Sequence, residues 1–177
     1  MILLSGVHGV GKTYFCEFVS QSLEIEVYSA SSLIANLKKR DFNKDKLIQD
    51  IEDNQALLLL ALEEKEQRNK NYILDGHLCL LNENGNITRI PNRVFEQMNI
   101  DAIVLLTDKP ETIAKRIYDR DGICMDKAFV GKFQEEEVEY ANEITSRINK
   151  PLFISNGEKD FHDAVNFIKK ITLINSD

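Results

Sequence analysis

Gly6-Val7-His8-Gly9-Val10-Gly11-Lys12-Thr13 is the stretch on which the reading of this chain turns. It fills the pattern G-x-x-x-x-G-K-[ST] completely. An apolar run, Met1 to Leu4, leads into it, and Thr13 to Leu23 leaves it with Phe15, Val19 and Leu23 at helical spacing. Strand, loop and helix together are the context that gives the pattern its chemistry. The glycines leave backbone N–H groups free to point inward at phosphate oxygens, where side chains would obstruct them. The helix behind adds the positive end of its dipole. The expectation is a site for the phosphates of ATP or GTP, formed by Gly6, His8, Gly9, Val10, Gly11, Lys12, Thr13 and Tyr14. Lys12 would reach the β- and γ-phosphates and the Thr13 hydroxyl would ligate Mg2+. His8 reads either as a polar turn residue or as a group with a direct chemical part.

Working outward, strands and helices alternate. Glu24 to Ser29 sets Ile25 and Val27 against Glu24 and Glu26, and Tyr72 to Asp75, Ala102 to Leu106 and Leu152 to Ile154 are further strands. Ser31 and Ser32 read as caps for a helix over Leu33 to Leu37. Lys44 to Gln67 reads as a long helix with Leu47, Ile48, Ile51, Ala56 and Leu59 inside, and Val94 to Met98 as a short one. Pro110 opens a helix to Arg120, the Asp121-Gly122 break ends it, and Lys127 to Arg147 and Asp160 to Ile171 are helical. Asn82 to Pro91 is turn-rich around Asn84-Gly85. Strands apolar on both faces, alternating with helices, predict an α/β fold of three layers around a five-stranded parallel sheet. No repeat or linker divides residues 1–177, so one domain is expected, with excursions near 30–70 and 120–127.

The composition is that of an ordinary globular chain: 43% hydrophobic and 29% charged over 177 residues. A formal charge of -7 repels nucleic acid, so no direct nucleic-acid binding is expected. Cys16, Cys79 and Cys124 are odd in number and form no C-x-x-C, which suits reduced thiols in a cytoplasm. No apolar run reaches the roughly twenty residues that cross a bilayer, so no membrane partner is expected.

Asp75 ends a strand at the carboxyl edge of the sheet, where a carboxylate holds Mg2+ directly or through water, or caps the next turn. His77 lies two residues on, placed to orient a nucleophile or to bond Asp75. Arg116 and Arg120 share a helix face at i, i+4, ready to grip a transferring phosphoryl group and stack on a base, or else to face solvent with Lys115 and Asp119. Ser29, Ser31, Asn36, Lys38, Arg40 and Arg89 are weaker candidates for an acceptor site. Glu135-Glu136-Glu137 reads as a solvated helix face.

With these residues the chain resembles the P-loop nucleoside monophosphate kinase superfamily, from Met1 to about Ile171. Ile2 to Thr13 resembles its opening strand and loop, and Tyr72-Ile73-Leu74-Asp75-Gly76 its third strand with the magnesium-side Asp. Ile103 to Leu106 followed by Pro110 to Ile117 resembles the fourth strand and lid-bearing helix. Ile154-Ser155-Asn156-Gly157 resembles the last strand and the turn beside the adenine. Asp75-Gly76-His77 is similar to the Asp-x-His motif of archaeal-type adenylate kinases and of the nuclear adenylate kinase group, whose members also act as ATPases in ribosome assembly. The resemblance implies strand order 2-3-1-4-5, Arg116 near the ATP base, Arg120 at the lid, and transfer from ATP to AMP or a similar monophosphate. The chain departs from the family in three places. His77-Leu78-Cys79-Leu80 stands where bacterial adenylate kinases carry an arginine for AMP, Glu136 or Glu137 stands where the archaeal branch has an arginine, and the lid is short. Two other readings stay open: an ATPase or regulator acting on a macromolecular partner, and a kinase of another small molecule.

Overall fold

The computed structural model describes residues 1–41, 51–66 and 71–174. The chain runs β1 (Ile2–Ser5), α1 (Lys12–Leu23), β2 (Glu26–Ser29), α2 (Ala30–Asp41), α3 (Ile51–Glu66), β3 (Tyr72–Asp75), β4 (Cys79–Leu81) and β5 (Ile87–Arg89). It continues through α4 (Asn92–Gln97), β6 (Ala102–Thr107), α5 (Pro110–Asp121), α6 (Lys127–Ile148), β7 (Leu152–Asn156), a 3-10 turn (Glu158–Asp160) and α7 (Phe161–Ile174). Five strands pair in parallel in the order β2-β3-β1-β6-β7. Counting parallel strands alone, this is 2-3-1-4-5; the detail that differs is an antiparallel hairpin, β4 with β5, between the third and fourth of them.

The central strands are apolar on both faces because both faces are covered. Every residue of β1 is buried, as is β6 from Ala102 to Leu106. Register places Leu4 beside Asp75 on one side and Val104 on the other. The parallel run therefore ends Ser5, Asp75, Thr107 and Asn156 at one common edge, where loops can hold a ligand. Phe15 of α1 meets Phe161 of α7 edge to face at 4.8 Å, and α6 lies along β6 and β7.

One local expectation needs correction and two are refined. Ser31 and Ser32 do not cap a helix: α2 begins at Ala30 and takes both into its first turn, where the Ser29 and Ser31 hydroxyls stand 2.9 Å apart. Of the long helix over Lys44 to Gln67, α3 accounts for Ile51–Glu66; Lys44, Leu47, Ile48 and Gln67 lie outside the described residues. The turn-rich Asn82 to Pro91 is the tip and return strand of the hairpin. There Asn82 Oδ1 accepts from the N–H groups of Asn84 and Asn86, at 3.0 Å each, and Gly85 takes φ 74°.

Candidate functional site

The phosphate loop is shaped by three glycines with positive φ, at 145° for Gly6, 80° for Gly9 and 109° for Gly11. A Cβ on Gly6 would stand 2.7 Å from the Leu106 carbonyl oxygen, and one on Gly9 2.6 Å from Ile117 Cγ1. Val7 and Val10 turn inward and are buried, so the side chains anchor the loop while its backbone faces the cleft. Gly11 precedes α1 without any side-chain cap, leaving that helix's first N–H groups to a ligand. Lys12 is 9% exposed; its Nζ donates to the Gly6 carbonyl at 2.8 Å and lies 4.0 Å from Asp75 Oδ1. Burial pulls the Lys12 pKa down, opposed by Asp75 and Glu137. Burial likewise pushes Asp75 up, opposed by Lys12. Thr13, exposed in the first turn of α1, and Asp75 both line the cleft. A hydroxyl and a carboxylate are the hard oxygen donors that fit Mg2+, which completes its shell with water and phosphate.

His77 lines the same cleft, its ring centroid 4.6 Å from that of His8, and its buried Nδ1 has no hydrogen-bond partner. Burial drives its pKa down to about 3, with the charges of Lys12 and His8 adding and the Gly6 backbone opposing. His8 is also lowered, by burial first and then by Lys12 and Arg120. Neutral His77 is thus the folded form above about pH 3, whereas the unfolded imidazole gains its proton near 6.5. Across that window the unfolded chain binds more protons, so this group's contribution to stability is lost as pH falls. His77→Asn is expected to flatten the fall of Tm between pH 6 and 4; an unchanged slope would assign the acid sensitivity elsewhere.

Arg116 reaches back under the loop. Its Nη1 donates to the Val10 carbonyl and to Asp108 Oδ2, both at 2.9 Å, and Nη2 lies 3.8 Å from Glu158. Gln134 of α6 fixes Asp108 by exchanging two backbone bonds, at 2.9 and 2.8 Å. Arg116 and Gly157, with Val10, Gly11, Tyr14 and Phe161, line a cavity of about 170 Å³ beside the loop. Asn156 is exposed and outside both cavities, its N–H donating to Asp160 at 2.8 Å. Arg120 lines the main cleft but is 64% exposed, and both oxygens of Asp121 hold it, at 2.8 and 2.6 Å. Gly122, with φ 70°, ends α5, and Asp126 caps α6 through the Phe129 N–H at 2.9 Å; the segment expected to form the short lid lies between them.

The main cleft has a volume of about 810 Å³ and continues past the loop into an apolar end walled by Ile34, Leu58, Phe95 and Met98. Of the acceptor candidates Ser29 and Ser31 line it, whereas Asn36 is exposed on α2 and does not. Arg40 belongs to α2, with its side chain outside the described residues. Arg89 is a correction. It pairs with Glu136 at 2.6 Å, Glu139 at 3.0 Å and Glu143 at 2.9 Å, tying the hairpin to α6 away from the cleft. The glutamate run is a second: Glu136 is spent on Arg89, and Glu137 is buried at 1% exposure. Asn54 and Gln55, overlooked in the sequence, line the apolar end with buried carboxamide oxygens that lack partners. Their signal was there, since Gln55 precedes Leu58 and Leu62 by three and seven positions on an inward stripe.

Comparison with known proteins agrees with this picture. A family model described as an AAA domain matches residues 5–128, more than half of the chain. An adenylate kinase of Thermoplasma acidophilum is 28% identical over 117 residues, covering 64% of this chain and 64% of that protein. A putative adenylate kinase of Pyrococcus furiosus is 30% identical over 142 residues, 78% of this chain and 63% of the other. The chain thus spans a little under two thirds of the length of these relatives. In fold it is similar to the shikimate kinase of Bacteroides thetaiotaomicron, with a TM-score of 0.57, 14% identity and 97% of each chain covered. The chain belongs to the AAA domain family, and its loop and sheet make it a P-loop protein similar to these adenylate kinases.

Proposed function

We propose that the chain transfers the γ-phosphoryl group of ATP to a nucleoside monophosphate, with ATP and AMP giving two ADP as the type reaction. The observation that carries this reading is one continuous cleft: Lys12, Asp75 and Arg120 line its loop end, and a further apolar end gives a second molecule room. An acceptor phosphate is already ionised, so no general base is required. Its oxygen attacks the γ-phosphorus while the bond to the β–γ bridging oxygen breaks and ADP departs. Lys12 and Arg120 meet the charge spread over the transferring oxygens, and the loop's N–H groups hold the β-phosphate. Mg2+, held by the Thr13 hydroxyl and by Asp75 directly or through water, would neutralise phosphate charge when bound. Arg116 would lie against the donor base in the smaller cavity. The acceptor's base would fill the apolar end, with Asn54 and Gln55 offering hydrogen bonds to its edge. Closure of the lid and of the α2–α3 side would exclude water and favour transfer over hydrolysis.

ADP release from ATP, measured alone and with AMP, other monophosphates and nucleosides, tests the reading; strong stimulation by one monophosphate is expected. Arg120→Ala is expected to lower that stimulated kcat more than roughly tenfold, since a lid arginine must exchange Asp121 for the transferring group. A rate near wild type would return Arg120 to the solvated surface. One observation favours a second reading. Among the described lining residues the lysine and arginines are Lys12, Arg116 and Arg120, all at the loop end, and Arg89 is occupied on α6. An ATPase acting on a macromolecular partner, with His77 and Asp75 positioning water, would then show slow hydrolysis that no monophosphate changes. Stimulation by a nucleoside or another hydroxyl compound would point to a small-molecule kinase.

A further inference from the structure

A buried carboxylate stands directly behind the site. Glu137 projects from α6 into the junction between the end of β1 and the segment that follows β3. Its Oε2 accepts the Ser5 hydroxyl at 2.8 Å and its Oε1 accepts the Cys79 N–H at 2.9 Å. Ser5 Oγ in turn accepts the Leu78 N–H at 3.0 Å. Each of these partners adjoins a residue of the site. Ser5 precedes Gly6, whose carbonyl holds Lys12 Nζ at 2.8 Å, and Leu78 follows His77. The Gly76 N–H, bonded to the Leu4 carbonyl at 2.9 Å, completes the stitching between the two strand ends.

We propose that Glu137 is a positioning residue for phosphoryl transfer: through Ser5 and the N–H of Cys79 it fixes the His77 segment against the start of the phosphate loop. This inference rests on the kinase reading above.

The arrangement is unusual for a purely structural bond. A buried carboxylate carries a desolvation penalty that two hydrogen bonds only partly offset, and a hydrophobic side chain would pack the same space without it. Burial pushes the Glu137 carboxyl up, while its bonds to Cys79 and Ser5 and the charge of Lys12 act in the opposite direction. Lys12 experiences the same attraction in reverse. Glu137 therefore has two means of acting on the site: it sets the distance between the loop and the His77 segment, and its negative charge opposes the displacement of Lys12. It lies too deep to touch substrate, so its effect should fall on the chemical step more than on nucleotide affinity.

Glu137→Gln separates these roles from packing. The amide can keep the Cys79 N–H on its oxygen and donate to Ser5 Oγ, so shape is retained while the charge is lost. Ser5→Ala keeps the charge but removes both the hydroxyl donor and the acceptor of the Leu78 N–H. In both variants kcat for ADP release with the best acceptor is expected to fall about tenfold, with KM for MgATP within about twofold of wild type. The imidazole resonances of His77 in the nucleotide-free protein should shift in both, while those of His162, which packs on Phe18 at 5.2 Å, stay in place. Wild-type kcat in both variants, or unmoved His77 resonances, would overturn the proposal and leave Glu137 a packing residue. Should wild-type protein transfer phosphate to no acceptor, the kinase reading fails by that result alone, and the His77 resonances still decide whether Glu137 sets this segment.

Discussion

Lys12→Ala is expected to lower the rate of ADP release by about a thousandfold while the protein stays folded. The two halves of this expectation have separate causes. The ammonium lies at the loop, 2.8 Å from the Gly6 carbonyl, which it is expected to leave when phosphate arrives. Preorganised charge in a site shielded from water acts far more strongly than in bulk, and no other described lysine lines the cleft to replace it. Folding is another matter. Burial disfavours the charged form of Lys12, so the side chain opposes folding at neutral pH, and its removal relieves that desolvation even as Asp75 and Glu137 lose a counter-charge. Thermal melts of wild type and variant should agree within a few degrees, and calorimetry with MgATP should show affinity sharply reduced. Activity near wild type in this variant would remove the phosphate-site assignment, and with it the kinase reading.

Gly6→Ala should be the most damaging single methyl group in the loop. Its Cβ would sit 2.7 Å from the Leu106 carbonyl oxygen, which belongs to the backbone of β6 and cannot rotate away as a side chain could. β6 is held between β1 and β7, so widening one contact disturbs two strand pairings. The φ of 145° adds strain that alanine rarely accepts. A loss of roughly 2–4 kcal/mol in unfolding free energy is expected, from steric displacement together with strain. The Gly6 carbonyl that orients Lys12 would shift with it, so activity should fall further than stability explains. Gly85→Ala is the control, because nothing lies within 4 Å of a Cβ there and only the φ of 74° opposes it. Equal melting curves for Gly6→Ala and wild type would overturn the expectation that this contact between the loop and β6 holds the fold.

What could be read in the sequence followed from how local its physics is. The loop from Gly6 to Thr13 was legible because its glycines, lysine and helix start act within eight residues of one another. β1 and β6 were legible because burial on both faces leaves unbroken apolar runs. Cys79–Leu81 and Ile87–Arg89 were not, since three-residue strands carry no usable alternation and only their Asn84-Gly85 turn left a mark. Glu137 was hidden for a different reason. A carboxylate within Glu135-Glu136-Glu137 looks solvated, and its partners stand 132 and 58 residues away at Ser5 and Cys79. Arg89 failed in the same way, its charge satisfied by glutamates on a helix that begins some forty residues later. In each case the pairing was set by tertiary contact, which no window of sequence displays.

The three thiols are distributed in a way that lets a single one be labelled. Burial pushes Cys16 and Cys79 up to about 12, so at neutral pH neither presents a thiolate to an electrophile. Cys124 is exposed between Gly122 and Asp126. A maleimide dye should therefore couple there alone, without any engineered cysteine, and its emission would report in real time whether that segment moves when nucleotide is added.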